Sequence, residues 1–213
     1  MQRQLSLLDQ ALAKIGQGLA AAAAPSPTAA INYPAQGKAD SARSEAERRH
    51  IAGLMRINHT GEIAAQALYH GQALVATQPH IRAHLLQAAQ EERDHLAWCE
   101  QRLTELNDSP SRIGPAWYVG SFAIGVVAGL AGDRWSLGFV DETERQVAEH
   151  LSDHLAQIPE TDQRSRAILA QMRSDEQRHG QQARDAGGQA LPARIKSAMR
   201  AVATMMKIGA YRF

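Results

Sequence analysis

A chain of 213 residues with a formal charge of +1 has room for one domain with a substantial core, and its near-neutral balance excludes the strong basic excess expected of a nucleic-acid binder. The single cysteine, Cys99, rules out an intrachain disulfide and a thiolate metal site, and fits a reducing compartment. Ala and Leu are abundant, aromatics make up only 5%, and Val and Ile seldom alternate with polar residues, so an all-α class is expected.

The opening residues, Met1 to Ala24, place Leu5, Leu8 and Leu12 on helical spacing. Asp9 and Lys14 interrupt the apolar run, which argues against a secretory signal. Pro25, Pro27 and Pro34 then mark a linker over Ala24 to Lys38, so residues 1–43 read as an arm and linker and 44–213 as the folded domain.

The first long helix is expected from Ser44 to Ala76, with Ile51, Leu54, Asn58, Glu62, Ala65 and Tyr69 on one stripe. Gly61 and Gly71 each cost roughly 1 kcal/mol of helix propensity, and suggest close approach of a neighbouring helix. Pro79 opens a second helix, running to Leu106, whose stripe holds Ile81, Leu85, Ala88, Glu92, His95 and Cys99. Pro115 to Gly132 is a stretch of 18 residues without a charge. It is short for a span of about 20 residues, and reads instead as a crossover helix that is buried or dips into a bilayer surface. A fourth helix, Trp135 to Ile158, aligns Leu137, Val140, Glu144, Val147 and Leu151. A fifth begins at a Thr161 or Asp162 cap, aligns Leu169, Met172, Glu176 and His179, and stops before Gly187 and Gly188. The last stretch, Leu191 to Phe213, is an amphipathic helix with basic residues and no acid.

Two of these helices carry Glu-x-x-His, as Glu92/His95 and Glu176/His179, and residues three apart share a helix face. One such pair is weak evidence of a site. Glu62 and Glu144, on the helices preceding each pair, complete the inventory of a four-helix carboxylate site. Register supports convergence. Glu62 and Glu92 lie 16 and 14 residues from the turn at Gln78, while Glu144 and Glu176 each lie 16 from Glu160. At a rise of roughly 1.5 Å per residue, the four acids come level to within about a turn.

Oxygen and imidazole donors suit Fe, Mn or Zn, and four carboxylates balance two divalent ions in an apolar interior. The expected arrangement gives Glu62 and His95 to one ion and Glu144 and His179 to the other, with Glu92 and Glu176 bridging. Asp175 is placed to orient His179 or to be a solvated acid, and Glu91 reads as a surface acid. His59, His150 and His154 are not expected as ligands, the latter two reading as polar-face histidines. Helical phase favours Glu144 over its neighbour Glu142, which stays an alternative.

Asn58-His59-Thr60-Gly61-Glu62, Glu91-Glu92-Arg93-Asp94-His95, the Gly-rich crossover and Asp175-Glu176-Gln177-Arg178-His179 together resemble the demethoxyubiquinone hydroxylases of ubiquinone biosynthesis. The resemblance covers Glu45 to Phe213. It implies a ferritin-like four-helix bundle with a crossover helix, two iron ions at those six residues, and O2-dependent hydroxylation of the ring of a polyprenylated quinol, demethoxyubiquinol. It further implies an external electron donor, association with other proteins of ubiquinone biosynthesis, and peripheral contact with the cytoplasmic face of the cell membrane. The crossover and the C-terminal basic helix would make that contact. Rival readings are a ferroxidase or iron-binding protein, a manganese catalase, and a membrane-associated helical scaffold without catalysis.

Overall fold

The computed structural model describes residues 6, 9, 12, 13, 16, 32–40 and 44–212, and all regular structure among them is helical. Most of the N-terminal stretch with helical spacing and of the linker over 24–38 lies outside the described residues. The helices are α1 (Glu45–Val75), α2 (Pro79–Glu105), α3 (Gly114–Leu130), α4 (Asp133–Gln157), α5 (Gln163–Asp185) and α6 (Ala193–Arg212).

Local chemistry sets their ends. Ser44 and Glu47 form a capping box at the start of α1, each satisfying the other's backbone N–H. Pro79 occupies the first turn of α2, where a missing N–H costs nothing. Asp162 caps α5 by accepting from the Ser165 N–H at 3.1 Å. Gly187, at φ +97°, follows the end of α5 in a conformation that favours glycine.

α1 and α2 form one antiparallel hairpin and α4 and α5 another, and their inner faces build two separate apolar clusters. The first joins Leu54 at the start of α1 to Leu103, Leu151 and Leu169. The second joins Tyr69 and Ala73 near the end of α1 to Leu85, Val140 and Ala183. Between these clusters lies a layer of carboxylates and imidazoles.

A polar clamp at each end holds the hairpins in register. At one, Asp133 at the start of α4 accepts from the Thr77 hydroxyl at 2.6 Å and the Gln78 N–H at 2.9 Å, in the α1–α2 turn. At the other, the buried Arg102 of α2 donates to Asp162 at 2.9 Å and Ser165 at 2.8 Å, at the start of α5. Buried hydrogen bonds to charged partners are worth about 1.5–3 kcal/mol, enough to oppose a one-turn slip.

α3 crosses α1 where both backbones are bare. A Cβ on Gly71 would collide with the Phe122 carbonyl, and one on Gly125 with the Leu68 carbonyl. Gly61 behaves differently from the sequence expectation. Its nearest neighbour is Met206 Cε at 3.9 Å, so it opens space rather than closing it. α3 is half covered: Tyr118 and Phe122 are buried, whereas Val127 and Leu130 are 69% and 70% exposed. Among the described residues no helix is long and apolar enough to cross a membrane. α6 lies along α1, burying Met206 and Ala210 and leaving Val202, Met205 and Ile208 exposed.

Candidate metal centre

Steps of three and four along each helix bring one acid stripe from each of α1, α2, α4 and α5 to the same level. The structure gathers all six expected residues into two groups: Glu62, Glu92, His95 and Glu176, and Glu92, Glu144, Glu176 and His179. Within each group the ligand atoms lie within 4.8 Å of one another, and all six side chains are buried. Glu92 and Glu176 belong to both. His95 Nδ1 is 3.1 Å from Glu92, 3.2 Å from Glu176 and 3.8 Å from Glu62. His179 Nδ1 is 3.4 Å from Glu176, 3.6 Å from Glu92 and 4.0 Å from Glu144.

The electrostatics show why protein atoms alone do not settle this layer. Burial pushes the carboxyls of Glu62, Glu92 and Glu144 above the usual range, and the charge of Glu176 pushes them further. Glu176 itself is held low: burial opposes its ionisation, but close approach of the His179 and His95 imidazoles prevails. Those contacts raise His179 to about 9 against the effect of burial. Buried Glu92 Oε1, Glu144 Oε2, both oxygens of Glu176 and His179 Nδ1 still lack any hydrogen-bond partner. Unsatisfied buried acceptors are costly, and a pair of divalent cations would engage them all. The donor set therefore fits a dinuclear metal.

The outer nitrogens of both imidazoles are backed by carboxylates, in a crossed pattern. Asp175 on α5 lies 3.3 Å from Nε2 of His95 on α2, and Glu91 on α2 lies 2.6 Å from Nε2 of His179 on α5. Two sequence expectations are corrected here. Asp175 serves the histidine across the interface rather than His179 on its own helix, because a side chain leaning off one helix meets the next. Glu91 is not a free surface acid. Burial opposes the ionisation of both acids, yet His95 holds Asp175 down to about 2 and His179 holds Glu91 low.

Glu142 and Glu144 part company in space. Glu144 joins the centre, whereas Glu142 pairs with Arg145 at 2.5 Å and Lys196 of α6 at 3.2 Å. Tyr69, read in the sequence as a core residue, donates its hydroxyl to Glu144. Its position two turns after Glu62 on the same stripe was the available signal. His59, His150 and His154 lie outside both groups, but all three are buried rather than on a polar face. His154 Nδ1 meets Asn58 Oδ1 at 2.9 Å.

Beside this layer runs an apolar groove of about 520 Å³ between α1, α3, α4 and α6. Gly61 and Ala65, flanking Glu62, form part of its floor, as do Thr143 and Val147, flanking Glu144. Trp117 and Ile124 of α3 and Met199 and Val202 of α6 line its walls.

Residues 49–209 match the family model for the ubiquinone biosynthesis protein COQ7. A 3-demethoxyubiquinol 3-hydroxylase of Ralstonia pickettii (strain 12J) is 56% identical over 216 residues, covering 100% of this chain and 99% of that protein. One of the same name from Xanthomonas campestris pv. campestris (strain 8004) is 59% identical over 187 residues, covering 88% of this chain and 86% of that protein.

Proposed function

The chain belongs to the family of the ubiquinone biosynthesis protein COQ7, and from that premise we propose that it is a monooxygenase hydroxylating the ring of a polyprenylated demethoxyubiquinol at a di-iron site. The observation that carries this reading is the pair of buried Glu/His groups sharing Glu92 and Glu176, beside an apolar groove lined by the neighbours of Glu62 and Glu144. Glu62 and His95 would hold one iron, Glu144 and His179 the other, and Glu92 and Glu176 both. An iron pair held there supplies the reduction of O2 and one oxygen atom for the ring, the second oxygen leaving as water with two electrons from an external donor.

The chain's own residues do the rest. Asp175 and Glu91 hold the two imidazoles by their outer nitrogens, which fixes each ring's orientation and tautomer. Tyr69 steadies Glu144. The apolar clusters above and below the layer exclude water, so the carboxylates act at low dielectric. The groove's apolar walls suit a prenylated ring. They also favour an organic substrate over the free ions or peroxide that a ferroxidase or a manganese catalase would take.

Membrane contact belongs to the same reading. α6 carries Arg194, Lys196, Arg200, Lys207 and Arg212 and no acid, with Val202, Met205 and Ile208 exposed between them. α3 exposes Val119, Val127 and Leu130. A basic helix with an apolar face is attracted to an anionic bilayer surface, from which a prenylated quinol could enter the groove directly. We place the protein peripherally on the cytoplasmic face of the cell membrane. Anaerobic loading with Fe(II), followed by O2 and demethoxyubiquinol, tests the reaction. A product one oxygen atom heavier is expected, and iron oxidation with the quinol unchanged would overturn the reading in favour of a ferroxidase.

A further inference from the structure

The groove is apolar except for a few polar side chains, and most of those are already engaged. The Thr143 hydroxyl donates to the Phe139 carbonyl at 2.9 Å. The Gln146 amide donates to Glu142 at 2.7 Å and to the Lys196 carbonyl at 3.3 Å. Glu149, Asp153 and Arg200 are exposed at the rim. His150 is different. It lines the groove, it is 9% exposed, and its Nε2 is buried without a hydrogen-bond partner. No other groove-lining side chain among the described residues has a buried polar atom left in that state.

The state of that nitrogen follows from the other one. A group that favours a proton on the His150 ring is the backbone carbonyl of Gln146, one turn earlier on α4 and on the Nδ1 side of the ring. A carbonyl only accepts, so Nδ1 carries the proton, and in the neutral ring Nε2 is left as a bare acceptor. Burial, then the charges of His154 and Lys207, push the imidazole down to about 3, so it is neutral at physiological pH. Nε2 is also the ring atom far from the helix backbone, and His150 lies less than two turns beyond Glu144. A dry acceptor next to the metal layer calls for a donor on whatever fills the groove.

We propose that His150 Nε2 accepts a hydrogen bond from a ring hydroxyl of the bound quinol and thereby selects the reduced substrate over the corresponding quinone. This rests on the reading of the substrate as a demethoxyubiquinol. A quinol hydroxyl is a donor, whereas a quinone carbonyl turns its lone pairs toward the lone pair of Nε2. To donate to the quinone instead, the ring would have to shift its proton to Nε2, away from the Gln146 carbonyl that favours it on Nδ1. Sites built around a substrate hydroxyl reject analogues that lack it, because the buried partner is then unsatisfied. The selection is useful chemically: the ring that reaches the metal is then the electron-rich one. His150 is on this account a specificity-determining residue.

The test is equilibrium dialysis under argon with the full-length chain loaded with zinc, so that neither redox form is turned over. The ligands are short-chain demethoxyubiquinol and its quinone. The wild-type protein should bind the quinol about tenfold or more tighter than the quinone, the worth of one buried hydrogen bond. His150→Phe, which keeps the ring's bulk without the lone pair, should bring the two within about twofold by weakening quinol binding alone. His150→Gln, which restores an acceptor, should recover most of the preference. An equal affinity of the wild type for both forms, or a preference unchanged in His150→Phe, would overturn the assignment of His150 while leaving the substrate class intact. Binding of neither form by the wild type would overturn the substrate reading, and this assignment with it. Should His150→Phe fail to fold, His150→Leu carries the same comparison.

Discussion

Asp175 backs His95 from the opposite hairpin, 3.3 Å from its Nε2, although His179 lies only four residues further along its own helix. Glu91 returns the arrangement to His179 at 2.6 Å. The crossing ties α2 to α5 through the candidate centre itself, so orientation of each imidazole depends on both hairpins being docked. Asp175→Asn should therefore weaken metal retention about 10- to 100-fold, the usual cost of losing a carboxylate behind a ligating histidine. Glu91→Gln should do the same at the other position. Chelator competition followed by metal analysis checks both, and wild-type retention in Asp175→Asn would show that the contact orients nothing.

The shared residues should behave unlike the unshared ones. Glu92→Ala or Glu176→Ala removes a carboxylate that reaches both groups, and both ions should be lost. Glu62→Ala touches one group only and should spare part of the occupancy. Two irons per chain in purified Glu92→Ala would rule out bridging by that residue.

Adjacent acids on α4 give a sharper contrast. Glu144→Gln should abolish hydroxylation, because Glu144 faces the centre. Glu142→Gln should leave hydroxylation nearly intact while lowering stability by about 1 kcal/mol, since it loosens the contact with Arg145 and Lys196 of α6. Product mass and urea unfolding read the two effects separately. The reverse pattern of activities would mean that α4 is rotated from the phase described.

Acid sensitivity should include a histidine contribution away from the centre. Burial, followed by the charge of Lys207, pushes His154 down to about 4. Its unfolded value is about 6.5, so the unfolded chain binds the extra proton between these limits. Stability is then fully present above about pH 6.5 and falls as the pH drops toward 4. Between pH 7 and 4.5 the loss from this one residue should be about 2 kcal/mol. His154→Gln keeps a donor toward Asn58 but cannot titrate, and should flatten the pH dependence of unfolding by about that amount. Parallel curves for the two proteins would contradict it.

The exposed apolar residues of α6 should matter for vesicle binding but not for folding. Met205 and Ile208 are 68% and 58% exposed. Met205→Ser with Ile208→Ser should lower binding to anionic vesicles several-fold and impair turnover of a long-chain quinol more than of a short-chain one. Sedimentation with vesicles reads the first, and unchanged binding would remove α6 from the membrane proposal.

Much of this molecule follows from positions along the chain alone. Ser44, Pro79, Asp162 and Gly187 mark helix ends because caps, prolines and left-handed glycines act within one turn. The levels of Glu62, Glu92, Glu144 and Glu176 follow from a constant rise per residue counted from two turns. The same counting separates Glu144 from Glu142 by phase. Sequence periodicity does not say which neighbour a given face will meet. It therefore offered Asp175 only His179 or solvent, took Glu91 as a surface acid, placed Tyr69 in the core without its bond to Glu144, and put His150 and His154 on a polar face. Those outcomes were decided by docking: the clamps at Asp133 and Arg102 set how far one hairpin slides on the other, and the Gly71–Gly125 crossing sets how close α3 comes to α1. Local spacing encodes height and phase on one helix, whereas contacts between helices depend on the packing of all of them together, which no single helix contains.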